Sequence, residues 1–204
     1  MRLGVLGPAS ADLTGLARAA QLLLDGYSAE KVIYLGIDDA LDRVVGAWAS
    51  DLVGANPSDV VLFERAAHAC AKAQPDQILA FVGSERSRRR LRVFSNLPPP
   101  PGRTIELLDG RVAVLLYDKA NLDEDDIAGA SMLIFGKSAT RLVKRVGART
   151  FIAPGIIGSD GGGSAILDDD SGGVRCRIID GAGTVVLTEH IGALATTGAK
   201  LKVQ

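Results

Sequence analysis

Ile134-Phe135-Gly136-Lys137-Ser138-Ala139 and Ile152-Ala153-Pro154-Gly155-Ile156 decide how this chain is read. In each, a short apolar run stops at Gly or Pro-Gly and a loop begins. Such a run, bounded by turn residues, reads as a buried strand. The same punctuation occurs upstream, at Leu3 to Leu6 before Gly7-Pro8, at Val32-Ile33-Tyr34-Leu35 before Gly36, and at Gln77 to Val82 before Gly83.

Helical patterns separate the first three runs. Leu13, Leu16, Ala17, Ala20, Leu23 and Leu24 recur at helical spacing after a cap at Ser10 or Asp12, and Gly26 ends the helix. Leu41, Val44, Val45, Trp48 and Leu52 share one face of a helix from about Ala40 to Leu52. Asn56-Pro57-Ser58 breaks the chain and caps a further helix bearing Val61, Leu62, Ala66, Ala69 and Cys70. Strands and helices alternating over short connections imply a parallel sheet with right-handed crossovers.

The texture changes at Pro98-Pro99-Pro100-Pro101, which reads as a stiff, extended connector. Beyond it, Asp109-Gly110 marks a hairpin between 104–108 and 111–116, and Gly147 a second one between 142–146 and 150–152. Asp123 to Ala128 starts a short acidic helix. Met132 to Phe135, Ala165 to Leu167, Val174 to Ile179 and Thr184 to Leu187 read as strands, with turns at Asp170-Ser171-Gly172-Gly173 and Asp180-Gly181-Ala182-Gly183. The expected fold is α/β, two mixed sheets stacked face to face with helices outside. One domain is expected over residues 1–192, and a flexible C-terminal tail over 193–204.

The bulk numbers narrow the function. A chain of 204 residues, 47% hydrophobic and 23% charged, supports one sizeable core. A net charge of -1 speaks against broad electrostatic binding to nucleic acid or to an anionic membrane. Cys70 and Cys176 form no CxxC and read as free thiols in a reducing compartment. No apolar run approaches the roughly 20 residues of a membrane span. The apolar stretch behind Met1 is too short for a signal peptide. A cytoplasmic location is expected.

Order and loop residues together resemble the calcineurin-like metallophosphoesterases, in particular the small single-domain phosphodiesterases and the retromer scaffold subunit. The resemblance runs from Met1 to about His190 and implies a four-layer α/β/β/α sandwich. The family's opening strand ends in Asp-x-His; here Gly7 is followed by Pro8-Ala9-Ser10. Its Gly-Asp loop stands here as Gly36-Ile37, and its Gly-Asn loop as Gly83-Ser84. A later ligand His has no counterpart in Leu115-Leu116-Tyr117-Asp118. Gly-His-x-His is matched by Gly136-Lys137-Ser138-Ala139, and Asn-Pro-Gly-Ser by Ala153-Pro154-Gly155-Ile156. Family chemistry uses two metal ions to activate water and clamp a phosphate, with carboxylate, imidazole and amide ligands. Pro8, Ser10, Ile37, Ser84, Lys137 and Ala139 supply none of these. The resemblance therefore implies a degenerate, catalytically inactive member without metal or other cofactor.

Several residues carry competing readings. Lys137 replaces a cation's charge beside Asp38 or Asp118, or holds an anion, or is an ordinary loop lysine. Asp38-Asp39 is a cation site or the cap of the helix that follows. Gly158 to Ser164 suggests a phosphate cradle but lacks GxxxxGK[ST], which favours a flexible loop. The basic run Arg86 to Arg92 lacks interleaved aromatics and reads as a solvated face or a protein-docking patch. Asp168-Asp169-Asp170 lacks EF-hand spacing and reads as an acidic hairpin rim.

The preferred expectation is a pseudoenzyme serving as a protein-interaction or scaffold module, with a protein partner and neither nucleic acid nor membrane. Dimerisation through an exposed sheet edge fits the architecture. The alternative is a metal-independent sensor holding a phosphate or nucleotide through Ser10, Asp38, Ser84 and Lys137.

Overall fold

The computed structural model of the chain describes residues 1–54, 56–159, 161–170 and 172–192. The expected tail at 193–204 lies outside the described residues, as do Asp160 and Ser171.

Strand β1 (Arg2–Leu6) leads through a loop into α1 (Leu13–Gln21), and the Asp12 side chain caps it by accepting from the Gly15 N–H. The helix ends in a π-helical turn (Leu22–Gly26) before β2 (Lys31–Tyr34). Then come α2 (Ala40–Val53), α3 (Leu62–Cys70) with a leading 3-10 turn (Asp59–Val61), and α4 (Pro75–Arg90). A 3-10 turn (Leu91–Val93) leads into β3 (Phe94–Asn96). The second half contains β4 (Arg103–Leu108), β5 (Arg111–Leu116), α5 (Glu124–Gly129), β6 (Met132–Phe135), β7 (Leu142–Val146) and β8 (Arg149–Ala153). It closes with β9 (Ser164–Asp170), β10 (Gly173–Ile179) and β11 (Val185–Gly192).

The strands form two mixed sheets flanked by helices. One has the order β11-β10-β9-β1-β2-β3, the other β4-β5-β6-β8-β7. β1 pairs parallel with β2 and antiparallel with β9; β6 pairs parallel with both β5 and β8. Side chains alternate between faces. Leu3 and Val5 of β1, Ile33 of β2, Ala113 and Leu115 of β5, and Met132 and Ile134 of β6 meet in one cluster between the sheets. Their neighbours Leu6, Val32 and Tyr34 face α1 and α2, whereas Val114, Leu116, Leu133 and Phe135 form the outer core of the second sheet. Both faces of each central strand are thus buried, and their sequences read as apolar runs for that reason.

Cys176 sits in the inter-sheet cluster, and burial pushes its thiol up to about 12. Cys70, half-buried on α3, is the accessible one. Titration with a thiol reagent is therefore expected to label one cysteine promptly and the second only on unfolding.

Two expectations need correction. Gln77 to Val82 is no strand; it is the first half of α4. Pro75 occupies the first turn, and Gln74 and Gln77 form a reciprocal capping box. The third strand of the first sheet is β3, three residues long, paired parallel with β2. The proline run is also not an extended connector. It turns the chain from the first sheet to the second, with Gly102 N–H donating to Pro99 O at 2.7 Å.

Candidate functional site

The loops that leave the strand ends converge, and glycines let them touch. A Cβ on Gly7 would lie 1.9 Å from Gly155 O, and one on Gly136 would lie 2.4 Å from Leu35 O. Loops from the two sheets therefore pack backbone on backbone, an approach that no side chain admits. Gly7 N–H donates to Gly163 O at 2.8 Å and Gly163 N–H to Pro154 O at 2.7 Å. Gly163, in the stretch read as a phosphate cradle or flexible loop, is thus bonded to the loops that follow β1 and β8.

Side chains tie the loops where the resemblance would place metals. Tyr34, fully buried at the end of β2, accepts a hydrogen bond from Ala9 N–H at 3.0 Å and donates to Asp38 Oδ1 at 2.8 Å. Its ring lies against Gly36, where a Cβ would meet the hydroxyl at 2.3 Å. Burial pushes the Tyr34 hydroxyl above the usual phenol range, so it remains a donor. Asp38 also accepts from Ala40 N–H at 3.2 Å and helps cap α2, as the capping reading of Asp38-Asp39 anticipates. Tyr34→Phe would leave the buried Ala9 N–H without a partner. A loss of about 1–2 kcal/mol is expected, measured by urea unfolding.

In the second sheet, Lys137 Nζ lies 2.5 Å from Asp118 Oδ2. The hydrogen bond from Lys137 holds the Asp118 carboxyl below its ordinary range, and the Asp118 bond raises the lysine. Lys137 thus braces an acid, the first of the alternatives read from the sequence. Ser138 Oγ is taken up by Thr140 O at 2.7 Å. On the first loop, Ser10 and Ala11 have φ values of 45° and 73°. Two consecutive residues in the left-handed region strain the backbone by an amount on the order of 1–2 kcal/mol each.

Pro8, Ser10, Tyr117, Lys137, Ala139 and Ile156 line a cavity of about 210 Å³ at this junction. Of the four candidate ligand residues, Ser10 and Lys137 share this cavity, and Asp38 reaches the same loops through Tyr34. Ser84 does not join them. It lies within α4, because the strand expected before it is helical. The loop it was taken to open in fact follows β3, and the residue there is Asn96. Its amide nitrogen donates to Asp42 at 2.8 Å, and its buried carbonyl oxygen has no hydrogen-bond partner. The only sequence signal for this placement was the Phe94-Ser95-Asn96 run just before the prolines.

The donor set does not fit two metal ions. The strand-end loops offer a proline, a hydroxyl, an isoleucine, a lysine and an alanine, together with the amide of Asn96 and carboxylates of which Asp38 is held by Tyr34 and Ala40 and Asp118 by Lys137. Among the described residues no three His, Cys, Asp or Glu side chains form a group able to hold a metal ion. His68 and His190 lie on α3 and β11. The acidic run is also engaged. Asp168, in β9 and not in a turn, pairs with Arg2 at 2.7 Å and with Arg177, and Asp169 pairs with the N-terminal amine at 2.6 Å. A larger cavity of about 360 Å³ lies among the helices, against Leu24, Trp48, Leu52 and Leu91.

Two stacked mixed sheets flanked by helices, with a cleft of loops at the strand ends, define the metallophosphoesterase-like fold. Solved structures agree. An archaeal phosphodiesterase aligns over 88% of this chain and 100% of its own, with 14% identity and a TM-score of 0.50. A conserved Streptococcus pneumoniae protein described as a predicted phosphoesterase aligns over 93% and 97%, with 9% identity and a TM-score of 0.50. Vacuolar protein sorting 29 from Cryptosporidium parvum aligns over 94% and 97%, with 12% identity and a TM-score of 0.51. At these identities the likeness is one of fold. No family model and no curated protein matches the sequence.

Proposed function

We propose that this chain is a non-catalytic protein of metallophosphoesterase fold that works as a protein-interaction module in the cytoplasm. The supporting observation is the replacement of the expected ligands by ties between loops. The Tyr34 hydroxyl joins the first loop to the second, and Lys137–Asp118 joins the loops after β5 and β6. Such ties stabilise the cleft without a metal ion. The cleft mouth is also more apolar than a metal site requires, with Pro8 and Ile156 lining the cavity and Ile37, on the adjoining loop, 60% exposed. The resemblance to the retromer scaffold subunit gives a precedent for this use of the fold, by analogy.

A metal-free anion site built on Ser10, Asp38, Ser84 and Lys137 is the weaker proposal. Lys137 is neutralised by Asp118, and Ser84 sits on α4.

The test is quantitative affinity capture from native cytosol with wild type, Ile37→Asp and the control Val146→Asp. Val146 is 53% exposed on β7, away from the cleft. Proteins retained by wild type and by the control but lost with Ile37→Asp would support the proposal and locate the face. Equal capture by all three would refute it.

A further inference from the structure

The larger cavity, of about 360 Å³, lies among the helices, apart from the strand-end loops. Its volume falls within the roughly 300–1,000 Å³ of small-molecule sites. It is built by the end of α1 with the π-helical turn, the C-terminal half of α2, and the junction of α4 with the 3-10 turn after it. The Tyr27 N–H closes the π-helical turn by donating to Leu22 O at 3.1 Å. Such widened turns recur at functional sites. Leu24 and Asp25 lie on this one and line the cavity.

The lining combines apolar surface with one free charge. Leu24 and Leu91 are buried, and Trp48 and Leu52 are half-buried. The Trp48 ring rests on Phe94, with centroids 6.0 Å apart and planes inclined at 59°. Trp48, Asp51 and Leu52 follow at i, i+3 and i+4 on α2 and so share a face. Arg90 is engaged, because its Nη2 lies 3.2 Å from Asp25 Oδ1 and donates to Leu24 O at 3.3 Å. Asp25 and Arg90 thus neutralise each other. The Asp51 side chain is exposed and has no ion pair or hydrogen bond among the described residues.

We infer that this cavity binds a small amphipathic organic cation, an ammonium or guanidinium group carried on an apolar body. The cationic group sits between the Asp51 carboxylate and the Trp48 ring, where Coulomb attraction and the negative face of the indole act together. The apolar body lies against Leu24, Leu52 and Leu91 and leaves water there. An anion finds no free partner, since Arg90 is the cationic residue of the lining and Asp25 holds it. A neutral apolar ligand would strip water from Asp51 and return nothing to it. This site is separate from the cleft, so its success or failure leaves the proposed function where it stands.

The test uses the chain's single tryptophan, Trp48, as the reporter. Its fluorescence is followed in the full chain during titration with phenethylammonium, up to about 30 mM at constant ionic strength. Calorimetry in parallel covers a bound state that leaves the emission unchanged. Saturable binding with a dissociation constant of about 1 mM is expected. Phenethyl alcohol, which keeps the body and lacks the charge, should bind about tenfold more weakly. Asp51→Asn should weaken the ammonium about fivefold and leave the alcohol unchanged. Asp51 is exposed, so far-UV circular dichroism should not change. Asp76→Asn, in the first turn of α4 and outside the cavity, should bind as wild type. Absence of saturable binding by both methods, equal affinity for ammonium and alcohol, or an ammonium affinity indifferent to Asp51→Asn would each overturn the inference. So would equal weakening by Asp51→Asn and Asp76→Asn, which would reveal attraction to bulk charge alone.

Discussion

Gly7→Ala is expected to cost about 3–4 kcal/mol or to prevent folding outright, a large share of the roughly 5–15 kcal/mol that holds a domain together. The new methyl would lie 1.9 Å from Gly155 O and 3.0 Å from Gly163 O. Neither neighbour can yield cheaply. Gly155 is held at a φ of 87°, and Gly163 accepts the Gly7 N–H and donates to Pro154. The substitution would prise apart the loops of β1 and β8, and with them the two sheets. Urea unfolding checks this through a lower midpoint at constant slope. Gly46→Ala in α2 is the control, since no atom lies within 4 Å of a Cβ there. Alanine's better helix propensity should stabilise that variant by up to about 1 kcal/mol.

Glu85→Ala should cost about 2–3 kcal/mol, localised to the α3–α4 hairpin. The carboxylate is 9% exposed between Arg65 and Arg88, which are 12% and 7% exposed. Its removal leaves two guanidinium groups facing each other beside α4. Amide exchange of α3 should then speed up while the sheets keep their protection. The same network sets a pH dependence. Burial pushes the Glu85 carboxyl up, but the bonds from Arg88 and Arg65 outweigh it and hold the group below its ordinary range. Asp59 is lowered by Arg88 and Arg92. Depressed carboxylates stabilise fully above their unfolded values and lose that contribution as pH falls through their folded values. Hairpin protection, corrected for intrinsic exchange, should be flat from about pH 7 to 5 and decline below about pH 4.

Where burial enforces a pattern, the sequence is explicit. The runs at Leu3–Leu6, Met132–Phe135 and Ala165–Leu167 are apolar because they face cores on both sides. Asp109-Gly110 reads as a hairpin because its turn needs two positive φ angles, observed at 48° and 67°. The Gln77–Val82 run misleads because its apolar residues are not there for the core. Ile78, Leu79 and Val82 are exposed, and a five-residue apolar run, Ile78 to Val82, fits strand and helix alike until its flanks are weighed. Pro75 and the Gln74–Gln77 box were the deciding flank. That one error moved the third loop from Asn96 to Ser84. At the site, Ser10 and Lys137 were placed correctly from the loops that close β1 and β6, and Ser84 was not. Of the ties at the site, Lys137–Asp118 was among the sequence's alternatives, but the Tyr34 bridge was not legible, because Tyr34 is an ordinary strand residue until the fold brings it to Ala9 and Asp38.

The proposal that the cleft is non-catalytic is tested most directly by calorimetric titration of the full chain with Mn²⁺ and Zn²⁺, followed by hydrolysis of bis(p-nitrophenyl) phosphate in the same solutions. No saturable heat and no turnover above buffer are expected, because the strand-end loops offer Pro8, Ser10, Ile37, Lys137 and Ala139 where ligands would stand. Stoichiometric metal binding accompanied by hydrolysis that Ser10→Ala and Lys137→Ala abolish would contradict it.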